Sequence, residues 1–264
     1  MPVITLTTEW KPDDIYNGII KGKICNLCPG TIIIDNAGSI APFDIAHASF
    51  IIRNTFGNYP EGSVHIICVH SEADNKHDHL IVRAKEHFFV GTDNGIFNLI
   101  LNSEPDEIIK IDCGDSTDEL DIYARVAADI ISGKKPADLG TQVDAFYEEL
   151  PLRATIDKNV IIGSIIFIDS YGNAMSNITR DVFYRVFENK EYRILIQSNK
   201  NFTNKISQKY SDVPVGEMLA RFNQFDLLEI SINGADISEL LNISTGSVVR
   251  VDNTDKSASP NRLF

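Results

Sequence analysis

What most narrows the fold of this chain is a change of rhythm near Pro151. Before it, short β-branched runs alternate with stretches of helical periodicity. Residues 3–8, 31–35, 64–69 and 108–111 read as strands, with apolar segments at 80–82 and 87–91. Ile15, Ile19 and Ile20 mark a first helical face. Phe43, Ala46, Ala48, Phe50 and Ile51 mark a second within 42–54, and Ile122, Val126, Ala127, Ile130 and Ile131 a third within 121–132. Strands alternating with helices imply a mostly parallel sheet with flanking helices. After Pro151 strand signals dominate, at 160–168, 192–196, 227–232 and 247–251, with Asn233-Gly234 as a turn. Several short strands separated by turns predict a smaller β-barrel. The expectation is therefore an α/β N-terminal domain over 1–150 and a β-barrel C-terminal domain over 151–264, with a loose polar tail over 252–264.

Composition excludes some partners. A formal net charge of −13 argues against nucleic acid and anionic membranes, since phosphate binding needs a basic face. It is compatible with a cationic small molecule, although solubility alone is sufficient to account for it. Cys25 and Cys28 have zinc-ligand spacing but lack a second pair to close a tetrahedral site, so the four cysteines read as reduced thiols. The first residues lack a basic leader region, and the longest apolar run, 160–168, falls far short of the roughly 20 residues a bilayer needs. A cytoplasmic protein with no membrane partner is expected.

The polar positions that follow the strands are where sites of open α/β sheets form. The third strand breaks at His70 into a polar loop ending in His77-Asp78-His79, and Thr92-Asp93-Asn94-Gly95 closes the next apolar run. Four of the six histidines lie between His70 and His87. The first strand hands over through Glu9 and Asp14 to the first helix, for which Asp13 reads as the N-cap. Two carboxylates there suit a diol or a cation. His65 lies within a strand and reads as a packed core histidine; His47 is assigned no role.

Taken in order, four segments resemble the S-adenosylmethionine hydroxide adenosyltransferases, a family that also includes fluorinating and chlorinating enzymes. They are Thr5-Leu6-Thr7-Thr8-Glu9 through Asp14 to Lys21-Gly22; Ile34-Asp35 through Ala41-Pro42-Phe43-Asp44 to Phe50; Gly62-Ser63-Val64-His65 through Thr92-Asp93-Asn94-Gly95; and Asp169-Ser170-Tyr171-Gly172-Asn173 through Asn177. The resemblance implies an α/β domain followed by a β-barrel, assembled as a homo-oligomer, usually a trimer. Its ligand is an adenosyl small molecule held between the N-terminal domain of one subunit and the C-terminal domain of the next. It further implies hydrolysis of S-adenosyl-L-methionine to adenosine and L-methionine by water or hydroxide attack at ribose C5′, with no cofactor and no metal.

The resemblance also suggests roles. Glu9 and Asp14 would grip the ribose hydroxyls, Asp93 and Asn94 would line the substrate, and Tyr171 would stack on adenine. Asn173 would bond the adenine edge and Asp169 would meet the methionine ammonium. Glu9 stands where the family normally carries aspartate. The family's Asp-Arg-His water-holding set is replaced by His70, His77 and Asp118, and its Ser-rich methionine-carboxylate contact by Gln224-Phe225. Three readings of the replaced set remain open. His70 and His77, held by Asp118, form a base for water, as histidine's ordinary acidity allows. The same cluster, with or without His79, binds a metal whose water attacks, making a metal-dependent nucleoside hydrolase. Or the set is inert, and the chain is a degenerate S-adenosylmethionine or nucleoside binder.

Overall fold

The structure is a computed structural model that describes residues 1–74, 76–101, 103–116 and 118–254. The chain divides into two compact units, Met1–Pro151 and Leu152–Phe264.

The first unit is built on seven strands: β1 (Ile4–Thr8), β2 (Ile33–Ala37), β3 (Val64–Cys68), β4 (His79–Ala84), β5 (His87–Thr92), β6 (Glu107–Ile111) and β7 (Gly140–Gln142). They lie in the order β2-β1-β3-β5-β4-β6-β7. Four helices accompany them: α1 (Ile15–Leu27), α2 (Ile45–Thr55), α3 (Ile96–Ile100) and α4 (Glu119–Ile131). β3 is apolar on both faces because both faces are covered. Ile66 and Cys68 pack toward α1 and α4, where Ile20, Ile24, Tyr123 and Val126 meet them. Ile67 and Val69 pack toward α2 and α3, with Ile52, Phe97 and Ile100.

The sheet is mixed rather than mostly parallel. β2, β1, β3 and β5 run parallel, while β4, β6 and β7 join antiparallel. The cause is the link between β4 and β5. Only Lys85 and Glu86 separate the strands, both at positive φ (50° and 61°). A two-residue turn of that kind makes a hairpin and cannot make a parallel crossover. The first helix also differs in detail from the sequence reading. Asp14, not Asp13, is its N-cap, accepting from Tyr16 N–H at 3.4 Å. Its packed side is Ile20 and Ile24, one turn apart, whereas Ile15 is 70% exposed.

The second unit is an antiparallel sheet of eight strands: β8 (Thr155–Asp157), β9 (Val160–Ile168), β10 (Ala174–Thr179), β11 (Tyr192–Ile196), β12 (Ser198–Thr203), β13 (Met218–Phe222), β14 (Leu227–Ile232) and β15 (Val248–Asn253). The order is β12-β11-β15-β9-β10-β14-β13, with β8 beside β9. The segment between the two end strands ties back, as Ser207 N–H donates to the Ala220 carbonyl at 2.8 Å, so the sheet is nearly barrel-shaped. Two helices complete it, α5 (Arg180–Phe187) and α6 (Ile237–Leu241). α5, which the strand-dominated reading passed over, is capped by Thr179 and inserts Phe183 against Tyr192 and Phe222. Asp252 and Asn253, expected in the loose tail, belong to β15; the rest of that tail from residue 255 lies outside the described residues.

Candidate functional site

The parallel strands β1, β2, β3 and β5 all end on the same edge of the sheet, and the polar residues that follow them meet there. Glu9 follows β1. Its N–H donates to the Cys68 carbonyl at 3.1 Å, and its Oε2 accepts from Phe43 N–H at 2.6 Å. Phe43 lies in the loop after β2 at φ 67°, and its ring meets the imidazole of His70 edge-on, with centroids 5.2 Å apart. His70 follows β3 at φ 49°. The left-handed region disfavours a side chain by roughly 1–2 kcal/mol, so neighbouring contacts must hold it there.

Those contacts come from β5 and α4. Asn94 Nδ2 donates to the carbonyls of Val69 (3.1 Å) and His70 (2.8 Å), and its Oδ1 accepts from Ile96 N–H at 3.2 Å. The Ser71 carbonyl accepts from the Thr92 hydroxyl, and the Tyr123 hydroxyl lies 3.4 Å from it. Tyr123 also lies 2.8 Å from Thr92 Oγ1 and 2.9 Å from His79 Nδ1, closing a buried network. Burial lowers the His79 pKa and raises that of Tyr123 well above its ordinary value, so both stay neutral at neutral pH. Burial also pushes the Cys68 thiol up, and the charges of Glu119 and Glu9 add to the push.

Other expected members lie elsewhere or are already engaged. His77 Nδ1 pairs with Asp74 Oδ1 at 2.9 Å, and that oxygen also accepts from the N–H groups of Lys76 and His77. The loop is satisfied by its own aspartate, as short polar loops often are. Asp118 caps α4, accepting from Leu120 N–H at 3.0 Å, and lies 3.7 Å from Lys23 Nζ. The structure therefore does not assemble His70, His77 and Asp118 into one set: a local turn takes one member and a helix cap another. Among the described residues, no three His, Cys, Asp or Glu side chains converge on a metal-sized position. Asn94 spends its amide on backbone, so it positions His70 and has no donor left over for a ligand. Asp93 Oδ1 accepts from Tyr147 N–H at 2.8 Å; burial raises its pKa and that bond opposes the rise. Asp14 is half-buried at the start of α1.

In the second unit the predicted residues form the turn between β9 and β10. Asp169 Oδ1 accepts from the N–H groups of Tyr171 and Asn173, each at 2.9 Å, and its Oδ2 accepts from Asn173 Nδ2 at 2.9 Å. Gly172 holds φ 80°, and a Cβ there would fall 1.9 Å from Asp236 Oδ1. The turn thus presents Tyr171 outward, 78% exposed. Behind it, Tyr210 OH donates to the buried carboxylate of Glu229 at 2.8 Å. Gln224 and Phe225 occupy the β13–β14 turn. The register pairs Ala174 with Ile230 and Thr179 with Leu227, which puts that turn at the opposite end of β10 from Tyr171. Five residues of strand separate the two ends, about 16 Å at the usual rise.

Sequence reasoning missed Phe43, Ser71, Tyr123 and Glu119 as members of the strand-end cluster. Glu119 neighbours the expected Asp118, and helical geometry turns consecutive side chains about 100° apart, so only one of the two reaches Ser71.

A mixed α/β sheet with carboxylate and histidine side chains at its parallel strand ends, joined to a nearly closed antiparallel barrel, defines a two-unit α/β-plus-barrel protein. Residues 4–140 match the SAM hydroxide adenosyltransferase N-terminal domain and residues 163–250 its C-terminal domain, and the chain belongs to this family. It is 27% identical over 259 residues to a protein of Methanocaldococcus jannaschii named (R)-S-adenosyl-L-methionine hydrolase, covering 92% of this chain and 93% of that one. A Thermus thermophilus protein of the same name is 23% identical, with 95% and 100% covered. In fold, the chain is similar to a crystal structure of an uncharacterized conserved protein from Thermotoga maritima, with TM-score 0.83, 22% identity, and 95% and 100% covered.

Proposed function

We propose that this protein hydrolyses S-adenosyl-L-methionine to adenosine and L-methionine. The observation that carries the reading is the meeting of Glu9, Phe43 and His70 on adjoining parallel strand ends, in a chain that matches the family in both its halves. Water adds its oxygen to ribose C5′ as the C5′–S bond breaks. The bond's electron pair goes to sulfur, which leaves as the neutral thioether of methionine, and the water gives up one proton. The sulfonium needs no acid to leave, so the protein's task is to hold the ribose and align the water. Glu9 suits the ribose: one oxygen is fixed by Phe43 N–H, and the other has no partner among the described residues. Asp14, the half-buried cap of α1, offers a second carboxylate after β1, and Tyr171 an exposed ring for the adenine. The resemblance extends this reading to a cytoplasmic homotrimer of two-domain chains split at 150/151; sedimentation of the purified protein tests the trimer.

The test is incubation with S-adenosylmethionine in heavy-oxygen water, followed by chromatography and mass spectrometry. Adenosine carrying the heavy oxygen at its 5′-hydroxyl is expected. Methylthioadenosine, or unlabelled adenosine, would refute attack at C5′. One observation favours a second reading, a binder without turnover: His77 and Asp118 are engaged away from His70. Binding by calorimetry with no adenosine formed would select it.

A further inference from the structure

Two polar side chains beside His70 have no part in the chemistry so far. Ser71 is buried, and its hydroxyl donates to Glu119 Oε1 at 3.4 Å. Glu119 opens α4 and is half-buried; its Oε2 has no partner among the described residues. Neighbouring Asp118 is committed to the helix cap and to Lys23.

The stretch from Val69 to Ser71 is held from both sides. Asn94 binds the carbonyls of Val69 and His70, while Thr92 and Tyr123 hold that of Ser71. All three side chains are buried, so the backbone that carries Ser71 is fixed before any ligand arrives, and Glu119 meets its hydroxyl. Glu9 N–H donates to the carbonyl of Cys68, the last residue of β3, and Glu119 meets Ser71 three residues further on. This end of the sheet thus carries two carboxylates, each with one oxygen held and one to spare: Glu9 is held by the β2 loop and Glu119 by the Ser71 hydroxyl.

We propose that Glu119, oriented by Ser71, is the catalytic group that receives the proton of the attacking water. The inference rests on the reading of this site as one where water attacks ribose C5′. As the new C5′–O bond forms and the C5′–S bond breaks toward sulfur, the water proton passes to Glu119 Oε2 and then to solvent.

The experiment uses the full chain and measures adenosine release. Glu119→Gln keeps the shape and removes the base, and kcat is expected to fall about 10²–10⁴-fold with KM within threefold. In Glu119→Ala, added formate, a small carboxylate, should restore kcat by tenfold or more, a response that a purely structural role would not give. A Glu119→Gln kcat within threefold of wild type, or a folded Glu119→Ala that ignores formate, would overturn the proposal. If both Glu119 variants lose their thermal transition, Ser71→Ala decides. It leaves the carboxylate present but unoriented, so a roughly tenfold loss in kcat supports the proposal and an unchanged kcat overturns it. A wild-type protein that releases no adenosine refutes the reaction itself, a failure distinct from all of these.

Discussion

Asn94 is the residue on which the geometry of the strand end depends most, and its removal has a size that follows from its contacts. Asn94→Ala deletes two donated hydrogen bonds, to Val69 and His70, and one accepted from Ile96. Each is worth about 1 kcal/mol net. Val69 and Ile96 are buried, so their freed carbonyl and N–H cannot turn to water, while the His70 carbonyl is better placed to do so. The sum is about 3 kcal/mol, toward the upper end of single substitutions. For a unit of this size that lowers Tm by roughly 6–12 °C. Scanning calorimetry of the purified chain measures it, and the loss should fall on the transition of the unit Met1–Pro151. Turnover should fall as well, because His70 at φ 49° loses what keeps it left-handed. Asn94→Asp should do no better, since a carboxylate oxygen would then face two carbonyls. A midpoint within 2 °C of wild type would refute the claim that this amide holds the strand end.

Three further outcomes follow from the structure. Burial, chiefly, and the neighbouring His87 hold the His65 pKa down at about 3, with Thr5 Oγ1 2.8 Å from one ring nitrogen and His87 Nδ1 3.1 Å from the other. The folded protein therefore binds this proton later than the unfolded chain, and stability is lost as pH falls from about 6.5 toward 3, by several kcal/mol; urea melts at stepped pH should show His65→Gln flattening that slope. Tyr171→Ala should leave Tm unchanged, since the ring is exposed, while KM for S-adenosylmethionine rises about tenfold from lost stacking worth roughly 1–3 kcal/mol; an unchanged KM would remove Tyr171 from the adenine site. Gly172→Ala places a Cβ against Asp236 at a positive φ, and should lower stability by about 1–3 kcal/mol in urea melts; a midpoint equal to wild type would show that the turn reshapes freely.

Much of this molecule is legible in its sequence because burial leaves a periodic trace. β3 shows as a continuous apolar run because layers cover both its faces, and α4 shows as helix because its buried positions recur every three to four residues. What escaped lacks such a trace. The β4–β5 hairpin turns on Lys85-Glu86, two residues with no preference for positive φ, so nothing in the sequence announced that the sheet reverses there. α5 spans only Arg180–Phe187, and amid strands its two buried phenylalanines resemble strand residues as readily as helix. The position of the N-cap shifted by one, from Asp13 to Asp14, because two adjacent aspartates satisfy the same rule.

The site was legible in part, and the division has a physical basis. Positions set by strand ends could be read, because a strand's end is visible in sequence: Glu9 and His70 do meet, through Phe43. Positions set by a helix start or a polar loop could not, because there the choice among adjacent residues is made by local hydrogen bonds. His77 was claimed by Asp74 and Asp118 by the cap of α4, each satisfied within a few residues. A polar side chain that finds a partner in its own turn is thereby withdrawn from a distant site. The converse identifies Glu119: it starts a helix whose cap is already supplied, so its carboxylate can reach across 48 positions of sequence to Ser71. A changed motif at a strand end can therefore keep its chemistry when the role passes to whichever neighbouring residue local bonding leaves uncommitted.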